Sequence, residues 1–478
     1  MSLPAEVISH IFSFLHSEPA ALQACLQSHP SLFQLARPYT YSHIRFKTGD
    51  SSNKRFKPAD LTEVLSKRPY IARYIRSLEI YVGGALDEEI QLHQLEEIST
   101  ILPNLSALRE ITLDHSLCSL FKFEALPESF RLAFLDCLHL QSMRDVCIHN
   151  VLHFPFKSAL NGECKSIRSL TVCGGLWVHP STSTNDLDLD LDGPFTNQDL
   201  PLESLCLQGC TNTFLDGFVP WFVTCRSQVR SLEFKGFCGD NCYGWLPILL
   251  SSSLNTLTNL DLHLGLSFSC MSLSWHLAQS YLPFAGDYDF NMPLIGYGAT
   301  KKIPVTLSTL PHLKQLTIRA TLHYTDHDRL GLWSLWGFYS PIPAITQLFS
   351  SSDTLSFEVL NLDFDFSIQG QSLVQTKSLP WSLLSDVICT PLVHLLSTIS
   401  AFERSISSSA VSIRVNLRLR GASRPLTLRG SFYRAIPLNV IHSLLSGSKE
   451  LMQFMAQGML VVTPPVPTSL DIDDSDSW

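Results

Sequence analysis

A chain of 478 residues is too long for one compact core, so it must hold several domains or one small module joined to an extended repeat array. Hydrophobic residues make up 45% of it and charged residues 16%, with 28 phenylalanines, a composition that excludes global disorder. The formal charge of -9, with Lys and Arg scattered singly, leaves no basic stripe to neutralise a phosphate backbone, so nucleic acid is excluded as an expected partner.

The first element is an amphipathic helix. Val7, Ile8, Ile11, Phe12 and Leu15 recur at helical period, Pro4 suits the first turn, and Glu6 complements the positive end of the dipole. Ser17 and Pro19 open a second helix carrying Leu22, Cys25 and Leu26 on one face, and Pro30 opens a third that should end before Pro38. Three helices this short cannot enclose Ile8, Ile11, Phe12, Leu22 and Leu26 together. An apolar face should therefore remain, for the following domain or for a partner. The run Leu3-Pro4-x-Glu6-Val7-Ile8-x-x-Ile11-Phe12-x-x-Leu15, then Ala21-Leu22-x-Ala24-Cys25-Leu26, Leu32-Phe33-x-Leu35-Ala36-Arg37-Pro38 and Ile44-Arg45-Phe46, resembles the F-box. What the resemblance implies is that residues 1–46 bind a Skp-type adaptor within a Skp–cullin–F-box ubiquitin ligase. The expected contacts are Leu3, Pro4, Val7, Ile8, Ile11, Leu22, Cys25 and Leu26.

Beyond residue 46 the pattern apolar-x-x-apolar-x-apolar recurs nine times, with first positions at Ile75, Leu108, Leu135, Ile167, Leu202, Val229, Leu257, Leu313 and Phe357. The spacings of 33, 27, 32, 35, 27, 28, 56 and 44 residues lie mostly near or slightly above a leucine-rich repeat. Each copy reads as a short strand whose last two marked residues point inward, and stacking the copies in parallel makes one continuous core. Helical returns are expected at 60–66 and 86–101, ended by Pro69 and Pro103. The stretch Leu61-x-x-Val64-Leu65-x-x-Arg68-Pro69-x-Ile71-Ala72-x-Tyr74-Ile75-Arg76-Ser77-Leu78 resembles fungal F-box proteins with leucine-rich-repeat-like C-terminal regions. Regularity fades after Leu262; residues 265–312 and 323–356 read as insertions, Val415-x-Leu417-x-Leu419 as a strand, and 463–478 as a disordered acidic tail.

The expected fold is thus α/β: a small three-helix F-box at 1–46, then an irregular leucine-rich-repeat solenoid with a parallel curved sheet at 47–462. Outward strand residues Glu79, Thr112, His139, Thr171, Glu233, Asp261, Thr317 and Asn361 are the expected substrate-binding row.

Several motifs mimic chemistry, and plainer readings fit them better. Asp188, Asp190, Asp192, Gly193 and Asp199 have the spacing of a calcium loop, but leucines alternate with them and a short Asp ends the run, so an acidic surface loop fits better. Cys206, Cys210, Cys238 and Cys242 make two Cys-x-x-x-Cys pairs, wider than structural zinc prefers. His323, Asp326 and His327 read as a solvated loop. Gly296-Tyr297-Gly298 lacks the third glycine of a phosphate loop, and no nucleophile elbow is present. Trp333, Trp336, Phe338 and Tyr339 read as buried core at helical spacing. No metal or cofactor is expected, and no catalysis.

The 13 cysteines are odd in number and irregularly spaced, which suits a reducing compartment, the cytoplasm or nucleus. No apolar run reaches the ~20 residues of a membrane span, and the N-terminus does not read as a signal peptide. The expected function is that of an adaptor, bound to a Skp-type adaptor and cullin scaffold, holding an unidentified protein substrate. The alternatives are a leucine-rich-repeat scaffold with no ligase role and, third, an enzyme whose active site the sequence does not display.

Overall fold

The computed structural model describes residues 4–15, 19–48, 57–83, 88–115, 121–160, 164–174, 200–210, 212–225, 227–235, 245–264, 307–326, 337–339, 342–350, 358–370, 389–405, 412–418, 445–458 and 460–463. They form a mixed α/β structure in two compact units, 1–229 and 230–478. Among the described residues no helix is long and apolar enough to cross a membrane.

The first unit begins with α1 (Ala5–Phe14), α2 (Pro19–Ser28) and α3 (Pro30–Thr40). Pro4 stands just before α1, and its carbonyl accepts the amides of Val7 at 3.1 Å and Ile8 at 3.2 Å. Phe12, Leu22 and Ala36, one from each helix, are buried together, with Ile8, Leu15, Cys25, Leu32, Leu35 and Tyr39 packed around them. Contrary to the sequence expectation, α3 runs through Pro38 to Thr40. Proline removes one N–H from the helix, but a single turn remains beyond it, and Tyr41 N donates to Arg37 O at 3.2 Å to close that turn.

A parallel sheet follows. Its strands are β1 (His43–Thr48), β2 (Ser77–Val82), β3 (Glu110–His115), β5 (Asp145–His149), β7 (Ser169–Cys173) and β8 (Ser204–Gln208), paired in that order, while β4 (Phe121–Lys122) and β6 (Val151–Leu152) make a separate parallel pair. Returning helices are α4 (Pro58–Lys67), α5 (Glu88–Ile101), α6 (Glu128–Leu138), α7 (Phe156–Ala159) and α8 (Asn212–Thr224). The sequence-derived returns at 60–66 and 86–101 coincide with α4 and α5. Local chemistry sets the start of α4: Pro58 takes the first turn and Asp60 Oδ2 accepts the Lys57 amide at 2.8 Å.

The repeat logic is visible in burial and in hydrogen bonding. Ile75, Leu78 and Ile80 of one copy, and Ile167, Leu170 and Val172 of another, are each no more than 3% exposed. Between neighbouring copies one carbonyl just before a strand accepts two amides of the next copy: Arg76 O takes Arg109 N and Glu110 N at 2.7 and 2.9 Å, and Arg109 O takes Arg144 N and Asp145 N at the same distances. These paired bonds hold the strand starts level, so equivalent residues of successive copies sit side by side. Behind the sheet the phenylalanines form a continuous spine, with centroid separations of 5.0 Å for Phe123–Phe154, 4.8 Å for Phe154–Phe156, 5.3 Å for Phe156–Phe218 and 5.8 Å for Phe218–Phe222. Gly174 is required where it stands: its φ is +67°, and a Cβ there would lie 2.1 Å from Asn150 Oδ1.

One repeat was misplaced by its sequence. Leu135 and Leu138 belong to α6, not to a strand, and His139 follows that helix as its C-cap. The strand of this copy is β5, where Met143-x-x-Val146-x-Ile148 has the same pattern and all three are buried. Tyr41-x-x-Ile44-x-Phe46 is a further copy, since β1 pairs with β2 in register from His43↔Ser77 to Thr48↔Val82.

The second unit has β9 (Ser231–Lys235), β10 (Asn259–Leu264), β11 (Gln315–Asp326), β13 (Val359–Gly370), β14 (Ser412–Arg418) and β15 (Leu460–Thr463) in parallel order, with β12 (Gly337–Tyr339) antiparallel on β11. Helices Leu246–Ser252, Ile342–Ser350, Thr390–Ser405 and Lys449–Ala456 accompany them. Residues 323–356, expected as an insertion, include the end of β11, β12 and the helix Ile342–Ser350 with Ile342, Ile345, Leu348 and Phe349 buried. Phe338 and Tyr339, read from sequence at helical spacing, lie in the strand β12. Trp333, Trp336, residues 265–306 and the tail 464–478 lie outside the described residues.

Candidate functional site

Helix α1 is apolar on two faces. Ile8, Phe12 and Leu15 turn toward the bundle core, whereas Val7, Ile11 and Phe14, spaced i, i+4 and i+7, are 43%, 43% and 68% exposed. Phe14 makes an edge contact with His10 at 4.8 Å and is otherwise open. Of the adaptor contacts expected from the sequence, Pro4, Val7 and Ile11 are exposed, but Leu22 is 2% exposed and belongs to the core. Ile8 and Cys25 pack against that core. A helix only ten residues long shows one stripe in a periodicity plot. Which half of the stripe is buried is decided by α2 and α3. Phe14, absent from the sequence-derived set, is its most exposed large apolar residue. Leu3 and the side chain of Leu26 lie outside the described residues.

The second candidate surface is the polar face of each sheet. In the first unit the register Arg45↔Glu79↔Thr112↔Cys147↔Thr171↔Cys206 runs straight across six strands. In the second the corresponding row is Glu233↔Asp261↔Thr317↔Asn361↔Arg414. Seven of the eight residues expected in the substrate row, Glu79, Thr112, Thr171, Glu233, Asp261, Thr317 and Asn361, occupy these rows. His139 does not, because its segment is helical; Cys147 takes its place. The rows are bonded laterally: Arg45 and His43 both pair with Glu79, the latter at 3.4 Å, and Asn361 Nδ2 donates to Thr317 Oγ1 at 3.3 Å.

One rung further along the first-unit sheet the register places Asp114, His149 and Cys173 side by side on three strands. His149 Nδ1 lies 3.8 Å from Asp114 Oδ2, a charge contact longer than a hydrogen bond. Burial alone would push the His149 pKa down; its interactions with Asp114 and then Cys173 outweigh that and raise it to about 10. Buried thiols elsewhere behave as hydrophobes: Cys137 is pushed up to about 12, by burial first and then by Asp136.

In the second unit four ionisable side chains meet at β9, β10 and β11. His263 Nε2 lies 3.1 Å from Glu233 Oε1 and 3.4 Å from Asp261 Oδ1, and Arg319 donates to Asp261 Oδ2 at 2.7 Å. Burial raises the Asp261 carboxyl above the ordinary range and Glu233 adds to it, against the opposing pull of His263 and Arg319. Glu233 and Asp261 were legible in sequence as outward strand residues; His263 sits two residues beyond Asp261 on the same strand, and Arg319 is brought in by the pairing of β11 with β10.

On the helical side a groove of about 410 Å³ is lined by Leu65, Pro69, Ala72 and Ile101 with the Thr62 and Thr100 side chains. Ser66 and Asn104 complete the lining, and among the described residues none that lines it is ionisable. Cys206 and Cys210 are buried, while Cys238, Cys242, residues 188–199, His327 and residues 296–298 lie outside the described residues. No protein-family model matches the chain, and no curated protein matches it.

Proposed function

We propose that this protein is a substrate-recognition adaptor of a Skp–cullin–F-box ubiquitin ligase, working in the cytoplasm or nucleus. Its three-helix bundle docks a Skp-type adaptor, and the polar strand rows hold a target protein for ubiquitin transfer by other subunits. It performs no chemistry of its own in this reading. The observation that carries it is the outward stripe Val7, Ile11 and Phe14, apolar and exposed on a helix whose opposite face already fills a core. Exposed aliphatic and aromatic side chains on one helix face are the material of a helix-in-groove contact. The strand rows support the second half: they combine acids, hydroxyls and Arg45 on sheets whose other face is core, a polar platform suited to a protein surface.

The competing reading, a repeat scaffold outside any ligase, shares the strand rows and differs only at α1. Mixing the purified full chain with a purified Skp-type adaptor separates them. A complex lost on Ile11→Asp supports the ligase role, and no complex with the wild-type chain leaves the scaffold.

A further inference from the structure

The polar face of the second unit carries a donor set that target recognition does not require. Glu233 on β9 and Asp261 on β10 are cross-strand neighbours, and His263 follows Asp261 by two residues on the same face. Their ligating atoms all lie within 4.8 Å of one another. We propose that Glu233, Asp261 and His263 form a three-ligand site for a divalent cation of the zinc class, with a fourth position open to solvent or to a donor atom of a docked partner.

Distances support the assignment. Zinc bonds of ~2.0–2.2 Å in a tetrahedron place ligand atoms about 3.3–3.6 Å apart. The observed separations from His263 Nε2, 3.1 Å to Glu233 Oε1 and 3.4 Å to Asp261 Oδ1, lie close to those values, and every pair of ligating atoms is within 4.8 Å. Donor chemistry narrows the ion: one imidazole and two carboxylates suit zinc, whereas calcium needs ~6–8 oxygens and magnesium keeps most of its water.

Asp261 is also prepared as a ligand. Arg319 bonds Oδ2, which fixes the carboxylate plane, while Oδ1 is buried on the side facing His263 and accepts no hydrogen bond. Outer bonds of this kind orient metal-ligating carboxylates. Side-chain exposures of 16% for His263, 22% for Asp261 and 30% for Glu233 leave the cluster partly open, as a fourth position demands. Arg319 bonds one of the two adjacent carboxylates, and a dication in the cluster would place positive charge beside both. The site does not depend on the ligase role.

The test uses the full chain, stripped with chelator and titrated separately with Zn(II) alone by calorimetry and Co(II) alone by visible absorption. The expected result is one zinc equivalent whose affinity falls at least tenfold in Glu233→Gln and in His263→Gln. The matching Co(II) species should show ligand-field bands without thiolate charge transfer, which sets it apart from metal held by the chain's cysteines. In the wild-type chain zinc should protect His263 from carbethoxylation, read by mass spectrometry; this arm decides the matter if a variant fails to fold. Unchanged zinc affinity in folded variants, cobalt bound only through thiolates, or equal labelling of His263 with and without zinc would overturn the site and leave an ion-pair network alone.

Discussion

Replacing Leu170 by Ala tests the register of the first-unit sheet. Leu170 is 1% exposed, and its strand neighbours Val146 and Leu205 are buried to the same degree. Removing three carbons loses about 2.4 kcal/mol of transfer free energy at ~0.8 kcal/mol per group. A remaining cavity of about 80 Å³ adds about 2 kcal/mol at ~24 cal/mol per Å³. The expected loss is thus about 4 kcal/mol. Thr171, next in the chain but on the polar face and only half-buried, should lose no more than about 1 kcal/mol on substitution by Ala. Because the units need not unfold together, hydrogen exchange read peptide by peptide across β5, β7 and β8 is the suitable assay, with urea denaturation beside it. The Leu170→Ala protection loss should spread to neighbouring strands and fade beyond them. Equal destabilisation by the two substitutions would refute the register, since a one-residue slip exchanges the faces.

Other consequences are as direct. Gly174→Ala should destabilise the β5 and β7 ends, because the backbone is at φ +67° and the new methyl meets Asn150; a lowered melting temperature checks it, and an unchanged one contradicts the geometry. His149 has a folded pKa of about 10 against an ordinary 6.5, so its contribution to stability is complete below about 6.5 and is lost as pH rises toward about 10. The wild-type advantage over His149→Gln in thermal melts should therefore shrink across that window; an advantage that grew with pH would reverse the assigned charge. Charge changes at Glu79, Thr112 or Thr171 should weaken capture of a target protein while circular dichroism stays unchanged, whereas the same change at His139 should leave capture intact. Loss of fold at the row positions would place them in the core instead.

Much of this architecture is legible in the sequence because strand periodicity and burial coincide. Ile75-x-x-Leu78-x-Ile80 reads as a strand for the same reason that it buries three side chains. The failure at Leu135 has a physical cause: apolar residues three apart fit a helix as well as a strand, and Phe130, Phe134, Cys137 and Leu138 complete a buried helical face there. The periodic stripe of α1 was likewise visible, but its division into a buried half and an exposed half depends on contacts with α2 and α3. Seven row residues followed from alternation alone. The Glu233–Asp261–His263 and Asp114–His149–Cys173 groupings did not, because strands 24 to 35 residues apart in sequence are brought level by parallel pairing and the hydrogen bonds at their starts.

What covers the exposed stripe of α1 decides the ligase role. Ile8→Asp is an unsuitable probe, because Ile8 packs on the bundle core; Ile11 and Phe14 are free of that ambiguity. Burying one such side chain is worth ~1.5–3 kcal/mol, so Ile11→Asp or Phe14→Ala should weaken the complex tenfold or more. The decisive measurement is the affinity of the purified chain for a purified Skp-type adaptor, wild type against these two variants, with circular dichroism confirming that each is folded. Binding by the wild type and its loss in both variants is the expected result; an adaptor that ignores the wild-type chain, or holds Ile11→Asp equally well, contradicts the ligase role.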